Sequence, residues 1–218
     1  TALQTTTPGR KETRAGQLEI PLFGTTSALE QLNANGRLVI LGDPGSGKST
    51  LVNFVSLCFA GEALGRAEAN LDMLRASDIH EDDLEEILSQ GWKHGSLIPV
   101  RVILREFAAW DVEACLGGQG TADQLWNFIV RGLGGTLSDF AEPLKEELLE
   151  QGGLILLDGL DEVSDVGGKR VYLRQVIQDF SRVFSLCRIV VTARVYAYQN
   201  RDWKLPGFAT TVLAPFEP

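Results

Sequence analysis

Gly42 to Ser49 reads GDPGSGKS and stands between an apolar run, RLVIL (Arg37 to Leu41), and LVNFVSLCFAGEAL, where Leu51, Phe54, Val55 and Cys58 recur at helical spacing. Strand, glycine loop and helix in that order match G-x-x-x-x-G-K-[ST], and the flanking elements are the context that separates this motif from an ordinary glycine-rich turn. Such a loop turns successive N–H groups and the positive end of the helix toward phosphate oxygens. Gly42, Asp43, Pro44, Gly45, Ser46, Gly47, Lys48, Ser49 and Thr50 are therefore the candidate nucleotide-binding residues. Gly45 and Gly47 permit the curvature, Lys48 is expected to reach the β and γ phosphates, Ser49 to ligate Mg²⁺, and Thr50 to donate toward the α phosphate.

The rest of the chain supplies a sheet for that loop. IPVRVIL (Ile98 to Leu104), LILL (Leu154 to Leu157), RIVV (Arg188 to Val191) and Thr210 to Leu213 read as further strands. Helices are predicted over Thr26 to Leu32, Ala122 to Leu133, Glu142 to Glu150 and Lys169 to Phe184, and surface helices within Glu62 to Gln90, with Leu84, Ile87 and Leu88 on one face. Short apolar strands alternating with amphipathic helices predict an α/β fold in three layers, its parallel sheet covered on both faces. Residues 1–18 are polar and aperiodic and read as a flexible linker, leaving 19–218 as one nucleotide-binding domain.

Two more segments carry chemistry. LILLDGLDEV (Leu154 to Val163) ends a strand in Asp158, with Asp161 and Glu162 close behind, and resembles an extended Walker B motif. A carboxylate at that strand end can hold Mg²⁺, commonly through water, and a neighbouring acid can position or activate the attacking water. Asp158 is the metal candidate, while Asp161 and Glu162 both stand for the catalytic role. Acids after a strand are also common as helix caps, and the preceding glycine loop tips that balance. RIVVTAR brings Thr192 and Arg194 to the edge where open α/β sheets bind ligands. Thr192 and Arg194 are candidate γ-phosphate sensors, Arg194 being alternatively a helix cap or the ion-pair partner of Asp161 or Glu162, and Arg105–Glu106 lies at the same edge.

Composition removes other classes. A formal net charge of −9 disfavours nucleic acid and anionic membranes as partners, no long apolar run suggests a membrane span, and the N-terminus lacks signal-peptide character, so a cytoplasmic protein is expected. Cys58, Cys115 and Cys187 have no CxxC spacing, and His80 and His94 lie far from them, which argues for reduced structural thiols and against a Cys/His metal site. Trp110, Trp126 and Trp203 read as core or interface residues.

GDPGSGKST, IPVRVILREF, LILLDGLDEV, RIVVTAR and the terminal LAPF together resemble the NACHT family of STAND NTPases over about Gly36 to Phe216. The resemblance implies a five-stranded P-loop sheet in the order 5-1-4-3-2. It also implies ATP/ADP and Mg²⁺ as cofactors, slow ATP hydrolysis, and a nucleotide-controlled switch whose protein partners include copies of itself. The spaced acids Asp158-Gly159-Leu160-Asp161-Glu162 replace the adjacent Asp-Glu of AAA+ motors. Ala193 stands where the family usually has Ser, and the helical and winged-helix subdomains that close over the nucleotide are expected in a longer chain of which this is a fragment. The competing readings are an AAA+-type motor, with Arg182 or Arg201 as a finger in trans, and a small-molecule kinase, for which no arginine-rich lid is visible.

Overall fold

A computed structural model describes residues 4–6, 25–76, 92–110, 118–164, 168–199 and 203–213. Among these, the strands in chain order are β1 (Gln4–Thr6), β2 (Thr25–Ser27), β3 (Arg37–Leu41), β4 (Pro99–Ile103), β5 (Leu154–Asp158), β6 (Arg188–Ala193) and β7 (Ala209–Leu213). All join one sheet in the order β2-β1-β7-β3-β6-β5-β4. β7, β3, β6, β5 and β4 run parallel, while β1 pairs antiparallel with β7 and with β2. Numbered among themselves along the chain, the five parallel strands lie as 2-3-4-1-5, which read from the other edge is 5-1-4-3-2.

Strand composition explains why the parallel part is buried. Leu38 and Ile40 of β3 face one way and Val39 and Leu41 the other, and all four are buried, so this central strand is covered on both faces. β5 is buried along its whole length. Helices α1 (Ala28–Ala34), α2 (Lys48–Ala63) and α3 (Leu71–Ala76) pack on the face of Leu38, Ile40, Leu154, Leu156 and Val190, with Leu51, Val55 and Phe59 of α2 at the centre. On the opposite face lie α4 (Leu104–Trp110), α5 (Ala122–Leu137), α6 (Ala141–Glu150) and α7 (Lys169–Val183), over Val39, Val102, Ile155, Leu157 and Val191. Two apolar cores thus sandwich one sheet, the three-layer α/β arrangement.

Several expectations need correction. The flexible linker expected over residues 1–18 contains β1. Its threonines suit extended backbone, and β7 would otherwise offer an open row of N–H and C=O groups that β1 covers. The parallel sheet is accordingly extended from five strands to seven. The helix expected at Thr26 begins at Ala28 because Thr25–Ser27 is drawn into β2. Leu104, expected as the last residue of a strand, begins α4 instead. α5 continues past Leu133, broken at Gly134, whose φ of 67° is not helical. The face formed by Leu84, Ile87 and Leu88, together with His80, Cys115, Arg201 and Ala214 to Phe216 of the terminal LAPF, lies outside the described residues, while Leu213 closes β7.

Trp126 and Trp203 are core residues, whereas Trp110 is partly exposed. Cys58 and Cys187 are free and buried, and burial pushes each thiol up to about 11. Among the described residues, no helix is long and apolar enough to cross a membrane.

Candidate functional site

The site is assembled at the carboxyl ends of β3, β5 and β6. β3 hands the chain to the glycine loop, which turns directly into α2 with Gly47 as N-cap. Gly45 and Gly47 hold φ of 79° and 84°, a left-handed backbone that side chains with a Cβ rarely adopt. A Cβ on Gly42 would stand 2.3 Å from Ser46 Oγ, so the loop closes on itself at its first glycine. The first N–H groups of α2 have no partner within the helix and face outward at its positive end.

Lys48 lies folded over the loop. Its Nζ donates to Gly42 O at 2.7 Å and Asp43 O at 2.9 Å. Burial holds its pKa below the ordinary lysine value, with Asp161 the strongest opposing influence. Ser49, one residue on, donates through Oγ to Asp158 Oδ1 at 3.2 Å, joining the start of α2 to the end of β5 across 109 positions of sequence.

Asp158 is 5% exposed, and both of its oxygens are engaged. Oδ1 also accepts from Thr192 Oγ1 at 2.7 Å, and Oδ2 accepts from Arg101 Nη2 at 3.0 Å. The Thr192 oxygen in turn accepts from the Gly159 N–H at 2.8 Å, so one buried hydroxyl fixes both the acid and the turn that follows it. The loop is tied to β6 as well, Gly42 N–H donating to Ala193 O at 3.2 Å.

After Gly159 the chain makes one turn of 3₁₀-helix, Leu160–Glu162, which carries the two remaining acids. Asp161 is 6% exposed in its side chain and fully occupied: Oδ1 accepts the Arg194 backbone N–H at 2.9 Å, and Oδ2 pairs with Arg194 Nε at 2.8 Å. Glu162 is 38% exposed and pairs with Arg105 Nη1 at 3.2 Å. The two open questions of the sequence therefore separate. Arg194 is the partner of Asp161, and of the two acids only Glu162 keeps a solvent-facing carboxylate.

These groups surround a cleft of about 320 Å³. Pro44, Gly45, Gly47, Lys48, Ser49 and Thr50 line it from the loop and α2, and Asp158, Asp161, Glu162, Thr192 and Arg194 from the opposite wall. Gly42, Asp43 and Ser46 shape the loop without lining the cleft. Each acid has its own arginine: Arg101 for Asp158, Arg194 for Asp161, Arg105 for Glu162. Lys48 instead bonds neutral carbonyl oxygens, which leaves its charge for an incoming anion.

The donor set also constrains the metal. Among the described residues no cluster of three or more His, Cys, Asp or Glu side chains could hold an ion alone. One hydroxyl beside one carboxylate at the foot of the glycine loop is a donor set that suits a hard cation keeping most of its waters, such as Mg²⁺. Sequence reasoning placed Arg105 at this edge and missed Arg101. The available signal was a charged residue in the middle of the apolar run IPVRVIL, three residues before its end. No family model matches the chain, and no curated protein matches it significantly.

Proposed function

We propose that this chain is a Mg²⁺-dependent, adenine-nucleotide-binding P-loop domain of NACHT type, serving as a nucleotide-controlled switch that hydrolyses ATP slowly within a longer protein. The contact that carries the reading is Ser49 Oγ to Asp158 Oδ1 at 3.2 Å, on the wall of the cleft above the glycine loop. A hydroxyl and a carboxylate brought together from two strand ends, beside Lys48 and a helix N-terminus, are what a phosphate–Mg²⁺ pair requires.

In this reading the loop N–H groups and Lys48 would cradle the phosphates, and Ser49 and Asp158 would hold Mg²⁺, which would supply neutralisation of the phosphate charge. Glu162 positions the attacking water from the exposed side of the cleft. Asp161 and Arg194 act as one unit, bracing the 3₁₀ turn against the end of β6 and leaving Arg194 half exposed beside the cleft. The spaced acids and the negative charge favour a switch with protein partners over a motor or a nucleic-acid enzyme.

The test is to denature the purified protein, identify any nucleotide released, and titrate emptied protein with ADP, ATP and GTP in Mg²⁺. Adenine nucleotides are expected to bind, and folded protein that binds none of the three overturns the reading. Glu162→Gln is expected to lower single-turnover ATP hydrolysis by about 100-fold with nucleotide affinity retained. Steady hydrolysis at several turnovers per second would instead favour a motor, and transfer of phosphate to an added acceptor a kinase.

A further inference from the structure

Arg101 interrupts an otherwise apolar strand, and its position explains what it is for. In the parallel register of β4 and β5, Arg101 sits opposite Leu156 and Ile103 opposite Asp158, so Arg101 and Asp158 share the face covered by α2 and are diagonal neighbours. An arginine spans that diagonal easily, and its Nη2 stands 3.0 Å from Asp158 Oδ2. The Arg101 side chain is one-third exposed at the sheet edge while that of Asp158 is almost wholly buried, so the cation enters from outside the sheet and its charge ends beside a buried carboxylate. Arg101 does not line the cleft, although Asp158 does. Arginine and cleft thus approach the carboxylate from different sides: Oδ2 is taken by Arg101, while Oδ1 carries Ser49 and Thr192.

Resting on the nucleotide reading above, we infer that Arg101 is a resident counter-cation for Asp158, a positioning residue that lets the site accept a nucleoside diphosphate with little help from Mg²⁺. A buried carboxylate with no cation is strongly unfavourable and repels phosphate oxygens brought within a few ångströms. With Arg101 in place, the acid is neutralised before any metal arrives. Mg²⁺ then adds less to binding than it does where the acid waits bare, and the diphosphate state persists when the metal is lost. Removing the arginine transfers the whole task of neutralisation to the metal.

The experiment compares ADP affinity in excess EDTA and in excess Mg²⁺ for the parent, Arg101→Met and Arg101→Lys. Methionine keeps the stem that packs along the sheet edge and removes the charge. The ratio of dissociation constants, EDTA over Mg²⁺, is expected to rise about tenfold or more in Arg101→Met and to return toward the parent value in Arg101→Lys. An unchanged ratio in folded Arg101→Met overturns the inference.

A second readout needs no nucleotide. In EDTA, Arg101→Met is expected to melt below the parent, and Arg101→Met/Asp158→Asn to melt above Arg101→Met, because the uncompensated charge has been removed. A double variant no more stable than the single one overturns the inference even where Arg101→Met is too unstable for titration. A parent that binds no ADP in either buffer defeats the nucleotide reading, and the melting comparison then still decides whether Arg101 carries the charge of Asp158.

Discussion

Lys48→Ala is expected to weaken ADP and ATP binding at least about 100-fold while leaving the fold intact. The magnitude follows from what Lys48 bonds to within the protein. Its ammonium bonds two loop carbonyls, Gly42 O and Asp43 O, and contacts Ser46 Oγ at 3.4 Å. Neutral acceptors at a half-open surface return little, on the order of 1 kcal/mol each, and water replaces them when the side chain is cut. Phosphate oxygens offer charge-assisted bonds of about 1.5–3 kcal/mol each, and burial has already lowered the cost of stripping water from Lys48 on binding. Two such bonds lost correspond to more than 100-fold in affinity. Calorimetric titration beside a thermal melt checks both halves. Retention of parent-like affinity would mean that phosphates do not sit over this loop.

Gly61→Ala is expected to destabilise the protein by about 3 kcal/mol, a fall of roughly 6–12 °C in melting temperature, without changing nucleotide affinity by more than about twofold. Two effects of opposite sign meet at this position. Helix propensity favours alanine over glycine by about 1 kcal/mol, and Gly61 lies in the last turn of α2. Against that, a Cβ there would stand 1.6 Å from Ala69 O and 2.6 Å from Ala69 C, both backbone atoms. The segment after α2 is folded tightly onto the helix end, with the Arg66 N–H donating to Gly61 O at 2.8 Å, so the neighbour cannot swing aside as a flexible side chain would. Sterics win, and a whole turn of chain must move. Gly61 is 13 residues from Lys48, about 20 Å along the helix, which is why the site is expected to be spared. A stabilised Gly61→Ala protein would show that this return segment yields readily.

Comparison of strand and helix positions shows which physics a sequence carries locally. RLVIL is β3 to the residue, RIVV grows by two residues into β6, and the helix expected from Lys169 ends at Val183. These elements are legible because each is set by its own apolar period. The loop residues from Gly42 to Thr50 are legible for a similar reason: loop, lysine and hydroxyl are contiguous. What was not legible depends on partners far away in sequence. Arg101 and Asp158 are 57 positions apart, as are Arg105 and Glu162, and nothing in either segment alone says that they meet. Which of Asp161 and Glu162 stays open to solvent is illegible for the same reason, since it turns on Arg194, which is more than 30 residues further along. β1 was missed because a three-residue strand has no period to read, and it exists because β7 has an edge to fill.

The order in which the sheet is strung has a bearing on how the protein comes into being. β3, which launches the glycine loop, takes both of its neighbours from the far half of the chain: β6, ending at Ala193, and β7, ending at Leu213. β1 waits longer still, pairing Thr5 with Leu213. During synthesis at about 5–20 residues per second, β3 and its loop emerge well before the strands that flank them, and spend on the order of 10 seconds or more without them. Contacts of such long sequence separation close late and slowly. The nascent chain therefore carries its glycine loop through that interval with no sheet to mount it on, and an exposed RLVIL strand has to be kept from other chains meanwhile.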